Sequence, residues 1–344
     1  MPKGKYRPEI MALEVTRRCP CDCKHCRAGA GPEVAEELST EQWKMILTSI
    51  ADFCKCLIII TGGEPMERDD IFEIIHWSRE LGLETAMATC GYKINAETIS
   101  RLKDEGIHAL SFSLDGATAQ THDWFRQTKG AFDTVIKAAE AARKAGVRFQ
   151  INTTINKLNL DEFVGIAELA RRLGAFCFNP FVLVPTGRGK GISEAILDDV
   201  EYEMVLGELM KIKLESQIKV RVTCGPQFSR VMLQQKVDKI NYGRGCMGGK
   251  GFGFISYSGD VQTCGFLDVS AGNLIENNYD FAKVWLESEF LNEIRNRTGY
   301  TGKCSICEYM NVCGGCRARA YSMVGDYLGN DPVCAHQPGR KVKG

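Results

Sequence analysis

Through the first two thirds of the chain, short apolar runs alternate with stretches whose apolar residues recur every three or four positions. The runs that read as strands are 10–15, 57–61, 84–89, 109–114, 148–155 and 176–184. They are nearly continuous in apolar residues, as expected of strands covered on both faces. Between them the helical period predicts helices over 39–53, 69–81, 96–105, 131–145, 160–173 and 198–215. Ser39 with Gln42 three positions on fits a capping box, and Gly82, Gly106, Gly146 and Gly174 each stand where a helix should stop before a strand. Six β-then-α units imply an α/β fold with a parallel sheet. Either an open doubly wound sheet or a barrel of fewer than eight units satisfies the alternation. In both, function belongs at the C-terminal ends of the strands.

Past about residue 222 the periodicity fades. Residues 243–253 are glycine-rich, 254–264 read as a hairpin turning at Ser258-Gly259-Asp260, and 280–297 as a helix. The stretch 304–334 is dense in Cys and Gly with little to bury. The expected division is a barrel-type or doubly wound unit over 1–222 and a second, stapled unit over 223–344.

Composition sharpens that picture at one point. The 344 residues carry 43 Lys+Arg against 43 Asp+Glu, with 44% hydrophobic and 25% charged positions. Such a balance excludes a disordered chain and gives no basic excess for nucleic acid or an acidic membrane surface. Apolar runs such as 57–60 and 181–184 are far too short to span a bilayer. Sixteen cysteines are out of line with this ordinary background. The N-terminus lacks the apolar core of a signal peptide, so the chain reads as cytoplasmic and its thiols as metal ligands in preference to disulfides.

Three thiols, Cys19, Cys23 and Cys26, follow the first strand in C-x3-C-x2-C spacing. Such a set can hold three irons of a cubane and leave the fourth open; a zinc or disulfide knuckle is the alternative. Cys21 reads as a bystander and His25 as solvated. Thr61-Gly-Gly-Glu-Pro65 ends the second strand. Its glycines let backbone approach a ligand, and Glu64 offers a carboxylate to a cation such as an ammonium, although a plain Gly-Gly turn reads the same way.

Together with Ser111-Phe-Ser-Leu-Asp-Gly116, these segments resemble the radical S-adenosylmethionine (SAM) superfamily. The resemblance implies a partial (β/α)6 barrel and a 4Fe–4S cluster on the three cysteines. SAM would bind the open iron, and one electron would cleave it to methionine and a 5′-deoxyadenosyl radical that abstracts hydrogen from substrate. Carried over by position, Gly62, Gly63 and Glu64 would hold the SAM amino group, and Ser113 and Asp115 its ribose and carboxylate. Arg126 is a candidate carboxylate partner or a surface ion pair, Asn152 and Thr154 would face the site, and Val184 would lie near the adenine.

The C-terminal cysteines resemble the SPASM extension of that superfamily, although Cys313 and Cys316 are separated by two residues where three are common. By that likeness one auxiliary cluster would use Cys224, Cys246, Cys264 and Cys316, and another Cys304, Cys307, Cys313 and Cys334. A single auxiliary cluster is the alternative. Of the five remaining cysteines, Cys54, Cys56 and Cys177 read as small buried hydrophobes and Cys90 as a residue at the mouth of the sheet.

Further segments, among them Leu183-Val-Pro-Thr-Gly-Arg-Gly-Lys190 and Cys313-Gly-Gly-Cys-Arg-Ala-Arg-Ala-Tyr321, resemble the haem synthase branch. There a propionate of iron-coproporphyrin III is decarboxylated to a vinyl group. Arg188, Lys190, Arg317 and Arg319 would supply cations for propionates, unless they make structural ion pairs. A flavodoxin- or ferredoxin-like reductant is implied. The rival readings are a SPASM peptide maturase, weakened because only 18 residues precede Cys19, and a non-catalytic electron-transfer protein, for which a SAM-binding segment has no use.

Overall fold

Strand β1 (Ile10–Thr16) passes through the cysteine loop into helix α1 (Thr40–Phe53). The alternation continues with β2 (Leu57–Gly62), α2 (Ile71–Glu80), β3 (Glu84–Thr89), α3 (Ala96–Asp104), β4 (Ile107–Ser113), a short α4 (Ala119–Arg126) and α5 (Ala131–Lys144). It ends with β5 (Phe149–Ile155), α6 (Phe163–Leu173), β6 (Cys177–Val182) and α7 (Asp199–Glu215). Smaller elements follow: β7 (Lys219–Val220), α8 (Phe228–Gln234), β8 (Phe252–Ile255), β9 (Val261–Gln262), α9 (Phe281–Glu287), α10 (Glu289–Arg295), α11 (Gly302–Ser305) and α12 (Arg317–Val324). The structure is a computed structural model and describes residues 6–32, 36–237 and 245–339. The first two positions of the glycine-rich stretch 243–253 lie outside the described residues.

Strands β1 to β6 lie side by side in chain order, every pair parallel. A doubly wound sheet reverses its strand order part-way; a sequential order is that of a partial (β/α)6 barrel. The open edges are extended rather than bare. β7 pairs with β6, and on the other side β8 pairs in parallel with β1, Ile10 opposite Phe252, before β9 returns antiparallel. Residue 253 has room for nothing beyond glycine: an added Cβ would stand 2.7 Å from both Met11 Sδ and the Trp285 ring.

The pleat sorts the strand residues. Met11, Leu13 and Val15 of β1 enter the core with Trp43, Ile46, Leu47 and Ile50 of α1, all fully buried. Each such side chain contributes about 1.5–3 kcal/mol by leaving water. The opposite face carries Ala12 and Glu14 on β1, Ala86 and Ala88 on β3, Ala109, Ser111 and Ser113 on β4, and Gln150, Asn152 and Thr154 on β5. Small and polar residues there leave a lumen in place of a packed barrel interior. The capping box at Ser39 is present, with both reciprocal bonds. Helix 280–297 is instead two helices, because Ser288 ends α9 and accepts from Leu291 N at 3.4 Å to start α10. Helix α4 was too short for its period to register; Thr118 caps it.

Candidate active site

The glycine segment is sewn to the exit of β1. Gly63 N donates to Thr16 O at 2.7 Å and Glu64 N to Arg18 O at 2.8 Å. That approach needs glycine, since a Cβ on Gly62 (φ 145°) would lie 2.2 Å from Thr16 O and one on Gly63 2.3 Å from Arg18 O. Glu64 is wholly buried and ties β2 to β3: its carboxylate accepts from Thr89 Oγ1 at 2.8 and 2.9 Å, Cys90 N at 2.8 Å and Met66 N at 3.2 Å. Burial pushes its carboxyl above the usual range, and these donors offset part of the rise.

The cysteine loop closes through Cys19 N to Gly31 O (2.9 Å) and Gly31 N to Arg17 O (3.1 Å). Arg188 holds it from the β6 side, donating Nε to Cys23 O at 2.9 Å, NH1 to Ala30 O at 2.6 Å and its backbone N to Cys26 O at 2.9 Å. The Cys21 thiol, expected as a bystander, lies close enough to those of Cys19, Cys23 and Cys90 to interact with them electrostatically. Cys21 and burial push the thiols of Cys19 and Cys23 above their ordinary value. Arg126 NH1 stands 3.5 Å from Cys23 Sγ. The donor set fits an iron–sulfur cluster.

Beneath the loop, Asp115 is fully buried, 2.5 Å from Arg126 NH2 and 3.5 Å from His25 Nε2, and accepts from Thr154 N at 2.7 Å. Burial raises its carboxyl, but Arg126, His25 and His122 outweigh that and hold it below the usual range. His25 is not solvated: it stacks on Phe125 of α4 at 4.4 Å, and burial pushes it down to about 4. Ser113 is half-buried at the end of β4. Asn152 Oδ1 accepts from Gln150 Nε2 (2.9 Å) and Asn179 Nδ2 (3.1 Å) on the lumen wall. Val184 packs with Leu267, Cys316 and Ala318, toward the C-terminal segment.

There the thiols gather in two places. Cys224, Cys246 and Cys264 all feel the charge of Cys316, and burial pushes Cys264 up to about 12. Cys304, Cys307, Cys313 and Cys334 line one cavity together with Gln227, Arg230 and His336. Both donor sets are of the kind that holds iron–sulfur clusters. Two of the expected propionate cations are spent here. Arg319 is fully buried against Asp331, Nε to Oδ1 at 2.9 Å. Arg317 donates to Gly329 O at 2.6 Å and Tyr327 O at 3.1 Å. Lys190 is exposed, and Arg188 belongs to the cysteine loop. Cys54, Cys56 and Cys177 are buried, as expected.

Residues 13–170 match the family model described as the Radical SAM superfamily. The AdoMet-dependent heme synthase of Nitratidesulfovibrio vulgaris is 41% identical, with 98% of this chain and 95% of that protein aligned. The chain belongs to the radical SAM superfamily. It is an enzyme of that superfamily, and a second AdoMet-dependent heme synthase, from Methanosarcina barkeri, is 40% identical over 97% of this chain and 98% of the relative. Its fold is shared with Streptococcus suis SuiB bound to the precursor peptide SuiA, at a TM-score of 0.77 and 19% identity, covering 96% of this chain and 76% of SuiB. A 4Fe–4S cluster and SAM are therefore cofactors of this radical SAM chain. Two features of its site went unread in the sequence, Glu14 and α4. Glu14 had a signal, as a lone carboxylate at an alternate position within an apolar strand.

Proposed function

We propose that this enzyme converts iron-coproporphyrin III to haem b by oxidative decarboxylation of two propionates to vinyl groups. The near-full-length 41% identity to a protein named AdoMet-dependent heme synthase carries the reading. Cys19, Cys23 and Cys26 would hold the SAM cluster, which supplies the electron that cleaves SAM. Gly62 and Gly63 would bring backbone to the SAM amino group, with Asp115, Ser113 and Asn152 along the strand ends beside it and Arg126 charging the loop from below. Cys224, Cys246, Cys264 and Cys316 would carry one auxiliary cluster and Cys304, Cys307, Cys313 and Cys334 a second. A flavodoxin- or ferredoxin-like protein in the cytoplasm would be the reductant. Among the described residues no helix is long and apolar enough to cross a membrane.

The test is anaerobic incubation of reconstituted protein with SAM, dithionite and iron-coproporphyrin III, followed by chromatography. Haem and a monovinyl intermediate are expected. Release of 5′-deoxyadenosine with neither product would favour a peptide substrate, the reading that the SuiB fold keeps open.

A further inference from the structure

Glu14 is a carboxylate on the lumen side of β1, among alanines and serines, with its side chain 1% exposed. Two guanidiniums close over it. Arg27 NH1 lies 3.1 Å from Oε1 and Arg17 Nε 3.5 Å from Oε2. A structural ion pair needs one cation, and here there are two. Neither is used up. Arg27 NH1 also reaches Gly265 O at 3.5 Å, but its Nε and NH2 make no hydrogen bond among the described residues, and the Arg17 side chain makes none. Both are oriented by aromatic rings of the C-terminal segment, Arg17 over Tyr257 at 4.2 Å and Arg27 over Phe254 at 4.6 Å. Stacking fixes the guanidinium plane and leaves its edge free for a planar, bidentate anion.

The rest of the lumen face is mostly small or polar, with Ile59 of β2, in register with Ala12 and Ala86, among its larger apolar members. Its walls are small on β1, β3 and β4, and Phe181 and Phe266 stand 6.1 Å apart at the end of β6. Arg317 and Arg319 are committed to backbone carbonyls and Asp331, and Arg188 spends Nε and NH1 on the cysteine loop, leaving only its NH2 without a partner.

We infer that Arg17 and Arg27, gathered by Glu14, form the carboxylate-recognising edge of the substrate site and take a propionate arm of the iron porphyrinoid. The inference rests on the substrate reading above. The net single positive charge of the trio matches one carboxylate, and the stacked planes present it as a bidentate fork.

The experiment is an absorbance titration of iron-coproporphyrin III into anaerobic, cluster-loaded protein, with iron content confirming the loading. The same titration uses the tetramethyl ester, which has the macrocycle but no charge. Arg17→Gln and Arg27→Gln are each expected to weaken binding of the acid roughly tenfold to a hundredfold, the range of a charge-assisted hydrogen bond, and to bind the ester as the wild type does. Acid affinity equal to wild type in both variants overturns the fork while leaving the porphyrinoid reading intact. Equal losses for acid and ester also overturn it, because the arginines would then be holding the fold. Wild-type protein that binds neither form overturns the substrate reading and this inference with it.

Discussion

Arg126 and Asp115 meet at 2.5 Å beneath the cysteine loop, and the same guanidinium donates to the sulfur of Cys23. One cation therefore faces both a buried carboxylate and the Cys23 thiol. Removing one partner of such a pair strands the other's charge away from water, at a cost of about 3–5 kcal/mol. Arg126→Met should lower stability by that amount, while the Arg126→Met/Asp115→Leu double variant should lose less than the sum of its singles. Urea denaturation of the four cluster-free proteins checks this as a double-mutant cycle. Additive losses would mean that the two residues act independently.

Gly62 gives a second prediction. Its missing side chain is what lets β2 reach the β1 exit, with Thr16 O only 2.2 Å from where a Cβ would stand. Backbone cannot swing aside as a side chain can, so Gly62→Ala should destabilise by about 3 kcal/mol or more and abolish SAM binding. Gly191, with nothing within 4 Å of its own Cβ position, is the control: Gly191→Ala should stay within about 0.5 kcal/mol of wild type. Thermal unfolding and equilibrium dialysis of SAM measure the two effects, and indistinguishable variants would contradict the close approach.

His122 predicts a pH dependence. Its Nδ1 accepts from Asp115 N at 3.0 Å, and burial followed by Arg126 lowers its pKa from 6.5 to about 4. Because the folded state favours the neutral ring, the unfolded chain protonates first as pH falls. The stability tied to this histidine is present above pH 6.5 and is lost on acidification toward about 4. A shift of that size corresponds to about 3 kcal/mol. His122→Asn keeps an acceptor without the titration. Between pH 7 and pH 4 the wild type should lose about 3 kcal/mol more than this variant in denaturant titrations, and parallel losses would rule the linkage out.

Much of this was legible in the chain. The strand runs marked β1 to β6 because buried parallel strands are apolar throughout, and the glycine stops marked helix ends because the chain must turn at once into the next strand. Strand order was not legible in the alternation, which is the same for a barrel and a doubly wound sheet; the family resemblance implied the barrel, and the chain-order pairing of β1 through to β6 shows it. Cys19, Cys23 and Cys26 stood out by spacing, whereas the closeness of Cys21 to the same thiols did not, because one-residue spacing says nothing about where a loop turns its side chain. Of the two roles left open for Arg317 and Arg319, the structure bears out the structural one. Arg317 and Arg319 look like surface cations in a Cys-rich segment with no period, and only the fold shows Asp331 and the carbonyls of Tyr327 and Gly329 around them.

The pairing of β1 with β8 bears on how the chain is made. Ile10 leaves the ribosome early, but its partner Phe252 is translated only after the whole run of six strands. Until then one edge of the first strand has unpaired backbone groups, open to a wrong neighbour. The loop with Cys19, Cys23 and Cys26 hangs from that strand. Iron delivered to it before the segment around Phe252 has been made would meet a half-built support, so this topology favours metal loading after β8 has docked.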